Sequence, residues 1–343
     1  MSRNRTFFVV LSVLLVLMLS IGLPVCGAPK KLRVALVLSG YLGDRSFNDS
    51  AFLGLQQAEK EFGIEYRVLE SKVPSEWEQN LVAMASAGYD LVIANSTQFI
   101  EILNNNAPRF PNVKFAIIDG VVKLDNVASA IFAQNEGSFL AGAVAAMMTT
   151  RTELPGMNEE KVIGWVGGMD IPVLHDFFVG YEQGAKYIDP DIKILQSFAG
   201  TFTDPVKGKE LTLAQYSQGA DIVMNVASDT GNGVLEAAKV AGKYAIGVDL
   251  DQDAIYPGHI ITSMLKRVDM GVYTIIKSVV EGTYKGGTVV KLGISNGGVG
   301  ITDMSVMGDK IPTEVREKVK ELEAKVTSGE IKVVNYPGFE IGE

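Results

Sequence analysis

The sequence predicts an α/β protein of two doubly wound lobes. Three observations carry that expectation. Short apolar runs alternate with amphipathic stretches from Leu32 onward. The runs are continuously apolar, as parallel strands covered on both faces are. The strand–helix series then restarts near Glu136, giving two units of similar plan. A chain of 343 residues has room for both, since domains usually run to ~100–200 residues.

In the first unit, Leu32–Leu38 is a strand, and Ala51–Phe62 a helix with Phe52, Leu55 and Ala58 on one stripe. Tyr66–Leu69 is the next strand. Ser75 with Glu78 is expected to form a capping box over a helix running to about Ala87. Asp90–Ala94 is a strand, Gln98–Asn106 a helix, and Val113–Ile118 and Val127–Phe132 are strands. In the second unit, Glu136–Thr149 is a helix. The strands Lys161–Val166, Ile192–Ser197, Ile222–Val226 and Tyr244–Val248 alternate with helices near Val173–Tyr187, Val206–Gln218 and Val234–Ala241. A return strand (His259–Met264), an apolar helix (Met270–Glu281), a strand (Val289–Ile294) and a charged helix from Pro312 to about Thr327 complete the pattern.

Composition excludes several classes of function. With 47% hydrophobic residues the chain can bury a core, so disorder is not its dominant state. A formal charge of −9 argues against a nucleic-acid partner, which needs basic patches. One Cys and two His leave no material for a disulfide scaffold or a thiolate or histidine metal cluster, and no cofactor is called for. There is no Ser in G-x-S-x-G context, no H-E-x-x-H and no Walker loop, so an enzyme is not expected. His175 and His259 stand far apart in sequence and are taken as structural or surface residues.

Residues 1–28 are expected to be a signal peptide. Arg3 and Arg5 precede the apolar run Phe7–Leu19, and Ser20, Gly22 and Pro24 follow. A retained transmembrane helix is the rival reading, because Phe7–Val25 approaches the ~20 residues that span a bilayer. Leu23-Pro-Val-Cys26 resembles a bacterial lipobox, so Cys26 is expected to be lipidated and to tether the body to a membrane. Cleavage after Ala28 would instead remove it. Either way the body is expected to be exported, as a cell-membrane lipoprotein or a periplasmic protein.

In open parallel sheets, ligands bind beyond the carboxyl ends of the strands. The first strand leads into Ser39-Gly-Tyr-Leu-Gly-Asp44-Arg-Ser-Phe47-Asn48-Asp49. Asp44, Ser46, Asn48 and Asp49 can cap the next helix. Phe47 has no evident core to enter and suits stacking on a flat ligand. Asp119 and Asp249 each end a strand; each is either a turn residue or an acceptor for two hydroxyls of a diol. Gly167-Gly-Met-Asp-Ile-Pro172 leads into Phe177. Gly231-Asn-Gly233 opens a helix whose N-terminus could hold an anion. Lys266 follows the return strand and could donate to the same ligand.

Taken in order, several blocks resemble the basic membrane protein family of ABC-transporter substrate-binding lipoproteins, whose best-understood members are purine nucleoside receptors. They are Gly43-Asp-Arg-Ser-Phe-Asn48 with Ala51, Phe139-Leu-Ala-Gly142, Gly167–Pro172, Phe177 with Gly180-Tyr181, Asp204-Pro205 with Gly208, and Gly247-Val-Asp249. The resemblance implies a type I periplasmic-binding fold with three hinge crossovers. Its first lobe would be 32–132 plus 252–288, and its second 133–251 plus 289–343. It implies a base sandwiched between Phe47 and Phe177, with Asn48 at the base edge, and Asp119 and Asp249 on the ribose hydroxyls, supported by Lys266. Ser39 and Asp44 complete the expected ligand-binding set. Gly43 stands where nucleoside-binding members usually carry an Asp, so the base is left open. The expected partners are a small-molecule nucleoside and an ABC permease, and the protein is expected to be a monomer. Riboflavin, another flat ring or a sugar is the alternative ligand. A nucleoside-processing enzyme and a ligand-responsive regulator are the alternative classes.

Overall fold

A computed structural model describes residues 31–339. The expected signal peptide and Cys26 lie outside the described residues. The strands are β1 (Arg33–Leu38), β2 (Glu65–Leu69), β3 (Leu91–Asn95), β4 (Lys114–Ile118), β5 (Val127–Phe132), β6 (Val162–Gly167), β7 (Lys193–Phe198), β8 (Ile222–Val226), β9 (Tyr244–Asp249), β10 (Ile260–Lys266), β11 (Val289–Leu292) and β12 (Val299–Ile301). The helices are α1 (Phe47–Phe62), α2 (Ser75–Ser86), α3 (Ile100–Asn106), α4 (Gln134–Met148), α5 (Pro172–Ile188), α6 (Pro205–Ser217), α7 (Asp229–Ala241), α8 (Val268–Val280) and α9 (Thr313–Thr327).

Two six-stranded sheets result, ordered β11-β5-β4-β3-β1-β2 and β12-β10-β9-β8-β6-β7. The two follow the same winding plan, each with a switch point beside its first strand. Every described pairing is parallel except β10 with β12. The continuous apolar runs have the expected cause. Val34, Leu36 and Leu38 enter one cluster, while Ala35 and Val37 enter another on the opposite face. The edge strands β2 and β7 instead expose Glu65, Arg67, Lys193 and Gln196.

The chain passes between the sheets three times: after β5, after β10 and after β11. This corrects the expected segmentation. Residues 252–288 do not form one first-lobe segment, because β10 pairs with β9 in the second sheet. Residues 289–343 do not all join the second lobe, because β11 pairs with β5 in the first. Within the 252–288 stretch, α8 packs on the first lobe against α1, and the residues after it stay there, Tyr284 Oη donating to the Phe115 carbonyl at 2.7 Å. The cause is non-local: a buried apolar strand carries no local mark of which sheet it joins.

Helix α5 is seated on α4 by direct backbone contact. A Cβ at Gly142 would fall 2.0 Å from the Tyr181 carbonyl oxygen, one at Gly180 2.2 Å from that of Asn135, and one at Gly184 1.9 Å from that of Phe139. These three positions exclude any side chain, which fixes the helix that carries Phe177.

Two smaller expectations also change. The Ser75–Glu78 box does not form. Pro74 precedes the helix, Glu76 Oε2 accepts from the Lys72 N–H at 2.6 Å, and Glu78 Oε1 accepts from Asn106 Nδ2 at 2.7 Å. The short antiparallel strand β12, three residues long, has no counterpart in the sequence reading.

Candidate functional site

One cavity opens at the carboxyl ends of both sheets. All eight expected residues line it: Ser39, Asp44, Phe47, Asn48, Asp119, Phe177, Asp249 and Lys266. The duplicated plan explains the meeting. Phe47 starts the helix after β1, and Phe177 sits in the helix after β6. Asp119 follows β4, and Asp249 ends β9, the fourth strand of its sheet as β4 is of the other. Both Asp residues lie in the left-handed region, with φ of 67° and 64°. Asp tolerates that conformation better than most residues. The turn takes the chain off the sheet and leaves the carboxylate at the cavity.

Lys266 is buried at the centre of the site, 1% exposed. Its Nζ donates to Asp119 Oδ2 at 2.5 Å. It also lies 5.4 Å from the Phe47 ring centroid, 5.1 Å from that of Phe177 and 5.1 Å from that of Phe132. Phe rings from both lobes therefore face one ammonium. Asp119 Oδ1 is buried without a hydrogen-bond partner, an unmet acceptor that a ligand donor would satisfy. Burial pushes the Asp249 carboxyl up to about 7, the Asp44 and Asp119 charges add to the rise, and Lys266 and the Ser46 hydroxyl oppose it. The Ser46 hydroxyl donates to Asp249 Oδ2.

Asn48 Oδ1 accepts from Asn95 Nδ2 at 3.1 Å, which leaves the Asn48 amide N–H groups available. Ser39 Oγ is 3.4 Å from the Asn95 carbonyl oxygen, to which it donates. Asp44 is differently placed. Its oxygens accept from the Ser46, Asn48 and Asp49 N–H groups and from Ser228 Oγ, at 2.8–3.1 Å. It caps α1 and fastens that cap to the second lobe, and burial raises its carboxyl above the usual range.

The same loop is gripped elsewhere. Tyr41 Oη donates to Asp229 at 2.6 Å, Asn232 Nδ2 donates to the Asp44 carbonyl at 3.2 Å, and Gln252 Nε2 donates to the Arg45 carbonyl at 2.8 Å. Burial, with the Asp229 bond next, pushes the Tyr41 hydroxyl up to about 12, so it remains a donor.

Sequence reasoning missed Tyr41, Ser228, Asp229 and Phe202, all in the cavity wall. A signal existed for one of them: Ser228 follows β8 as Ser96 follows β3, and both line the cavity. The glycines near 231 serve packing instead of an anion site. Helix α7 starts at Asp229, and a Cβ at Gly233 would fall 1.7 Å from the Pro205 carbonyl oxygen. His175 is hydrogen-bonded to Asp170 at 2.6 Å, and His259 to the Lys243 carbonyl at 3.0 Å; neither lines the cavity. Among the described residues no helix is long and apolar enough to cross a membrane.

Comparison with known proteins agrees with this architecture. The family described as "ABC transporter substrate-binding protein PnrA-like" matches residues 31–337. Basic membrane protein A2 of Borrelia garinii is 33% identical over 314 residues, covering 90% of this chain and 88% of its own. An uncharacterized lipoprotein of Pyrococcus abyssi is 36% identical over 346 aligned positions, covering 88% and 84%. The crystal structure of an ABC transporter solute-binding protein from Aeropyrum pernix superposes with a TM-score of 0.79 at 33% identity, covering 89% of this chain and 93% of that one.

Proposed function

The chain belongs to the PnrA-like family of ABC transporter substrate-binding proteins, and from that premise we propose that it is an exported receptor that holds a nucleoside, foremost a purine nucleoside, and presents it to an ABC permease. As a member of that family it is a substrate-binding protein and not an enzyme. Its partners are a small molecule and a permease.

One observation carries the choice of ligand. Phe47 and Phe177, one from each lobe, lie 5.4 and 5.1 Å from the same Lys266 ammonium, above a buried floor of Asp119 and Asp249. A flat base stacked between the rings would touch both lobes at once. The ribose hydroxyls would donate to Asp119 Oδ1 and to Asp249, with Lys266 donating from the same side. Asn48 would address the base edge, and Ser39 supports it through Asn95. Asp44 would act at one remove, by holding the loop that presents Phe47 and Asn48.

Delivery follows from closure. A ligand that contacts both lobes stabilises the closed arrangement by as much as it prefers that arrangement. The permease would then receive a protein whose interlobe bonds report occupancy. Export by the N-terminal segment and a lipid anchor at Cys26 fit relatives that are named lipoproteins, and a tethered monomer would suffice for this task. Calorimetric titration with purine nucleosides, pyrimidine nucleosides, riboflavin and monosaccharides tests the ligand class. Binding of riboflavin or a monosaccharide in place of every nucleoside would refute the reading.

A further inference from the structure

Asp176 is fully buried beside Phe177 and joins three separate parts of the molecule. Its Oδ2 accepts from Gln134 Nε2 at 2.7 Å, at the start of α4 and directly after the first crossover. Its Oδ1 accepts from the Tyr336 N–H at 2.8 Å and from Asn335 Nδ2 at 3.5 Å, both in the segment after α9. That segment is fastened along its length. Asn135 Nδ2 donates to the Val334 carbonyl at 3.1 Å. Gln183 donates to the Lys332 carbonyl at 3.0 Å and accepts from the Val334 N–H at 2.8 Å. The Tyr336 ring stacks on His175 at 4.8 Å, and Phe339 is buried. These side-chain bonds and the ring contact lie on α4 and on α5, the helix whose Val173, Leu174 and Phe177 line the cavity.

We propose that residues 331–339 form a strap that positions the cleft-facing start of α5 against the first crossover, with Asp176 as the positioning residue through which it acts. The effect on ligand rests on the nucleoside reading above; the strap's hold on α5 does not. None of residues 331–339 lines the cavity, so the strap's contribution passes through the placement of Phe177 and Leu174.

The test compares full-length wild type, Asp176→Ala, Asp176→Asn and Tyr336→Ala. It measures inosine affinity by calorimetry and amide exchange over 172–180. Asp176→Ala and Tyr336→Ala are each expected to weaken inosine binding about tenfold and to speed exchange in the first turns of α5 by a similar factor. Asp176→Asn is expected to restore both. Its Oδ1 still accepts from Tyr336, and its Nδ2 can donate to Gln134 Oε1, which now has no partner. Unchanged exchange at 172–180 in Tyr336→Ala would overturn the strap. If inosine bound none of the four proteins, exchange alone would decide the strap. If Asp176→Ala does not fold, Tyr336→Ala carries the comparison.

Discussion

Lys266 and Asp119 form a buried ion pair across the cleft, with Nζ 2.5 Å from Oδ2. Lys266 ends β10 of the second sheet, and Asp119 follows β4 of the first. The corrected strand assignment gives the pair its meaning. With 252–288 in the first lobe, both residues would share a body; with β10 in the second sheet, the pair ties two bodies together.

A buried pair is costly to break on one side, because the remaining charge keeps its desolvation penalty. Lys266→Met leaves Asp119 and Asp249 in apolar surroundings without their cation. It is expected to lower unfolding free energy by about 3–5 kcal/mol in urea titration. Adding Asp119→Asn to Lys266→Met is expected to recover part of that loss. An unchanged urea midpoint for Lys266→Met would show that the pair is not formed.

Phe47→Ala and Phe177→Ala are each expected to weaken nucleoside binding by about 1–3 kcal/mol, the range for removing one base–aromatic stack. Phe177 is 2% exposed and adjoins the main core, so its variant should also lose stability. Phe47 is half-buried and should lose mainly affinity. Calorimetry and thermal unfolding separate the two effects, and equal affinity in both variants and wild type would exclude the sandwich.

The Asp249 carboxyl is raised from 3.8 to about 7, first by burial. A raised carboxyl means that the native state holds this proton more tightly than the unfolded chain does. Its contribution to stability is therefore fully present below 3.8 and is lost as pH rises through about 7. Asp176, raised to about 6 by burial, has the same sign. Ligand affinity should run the other way, because only the ionised carboxylate accepts two hydroxyl bonds. Urea titrations across this range should show a shallower pH dependence of stability in Asp249→Asn, and a slope equal to wild type would count against the assignment.

Tyr41→Phe and Ser228→Ala remove hydrogen bonds that join the lobes, to Asp229 and to Asp44. Each is expected to cost about 0.5–1.5 kcal/mol of closure. The loss should appear as faster ligand release in stopped-flow measurements, with association little changed. Slower association with unaltered release would place these bonds outside the closing step.

Much of this was legible because it is local. Continuous apolar runs mark the strands, and Phe47, Asp119, Asp249 and Lys266 could be picked out by standing just after strands. The rest depends on contacts between distant segments. Whether Ile260–Lys266 pairs with Tyr244–Asp249 or joins the first sheet is settled by packing. Tyr41 with Asp229 and Asp176 with Tyr336 are 188 and 160 residues apart, and no spacing rule links them. The glycines at 142 and 180 were readable as family blocks and Gly184 was not, and the reason all three share, backbone contact between α4 and α5, needs the third dimension.

The decisive measurement is equilibrium titration of the purified protein with nucleosides, their free bases and ribose under one condition. Saturable binding of at least one nucleoside is expected, at least about a hundredfold tighter than its base or ribose alone, since each half would forfeit either the stack or the hydroxyl contacts. Tight binding of a free sugar with no response to any nucleoside would contradict it.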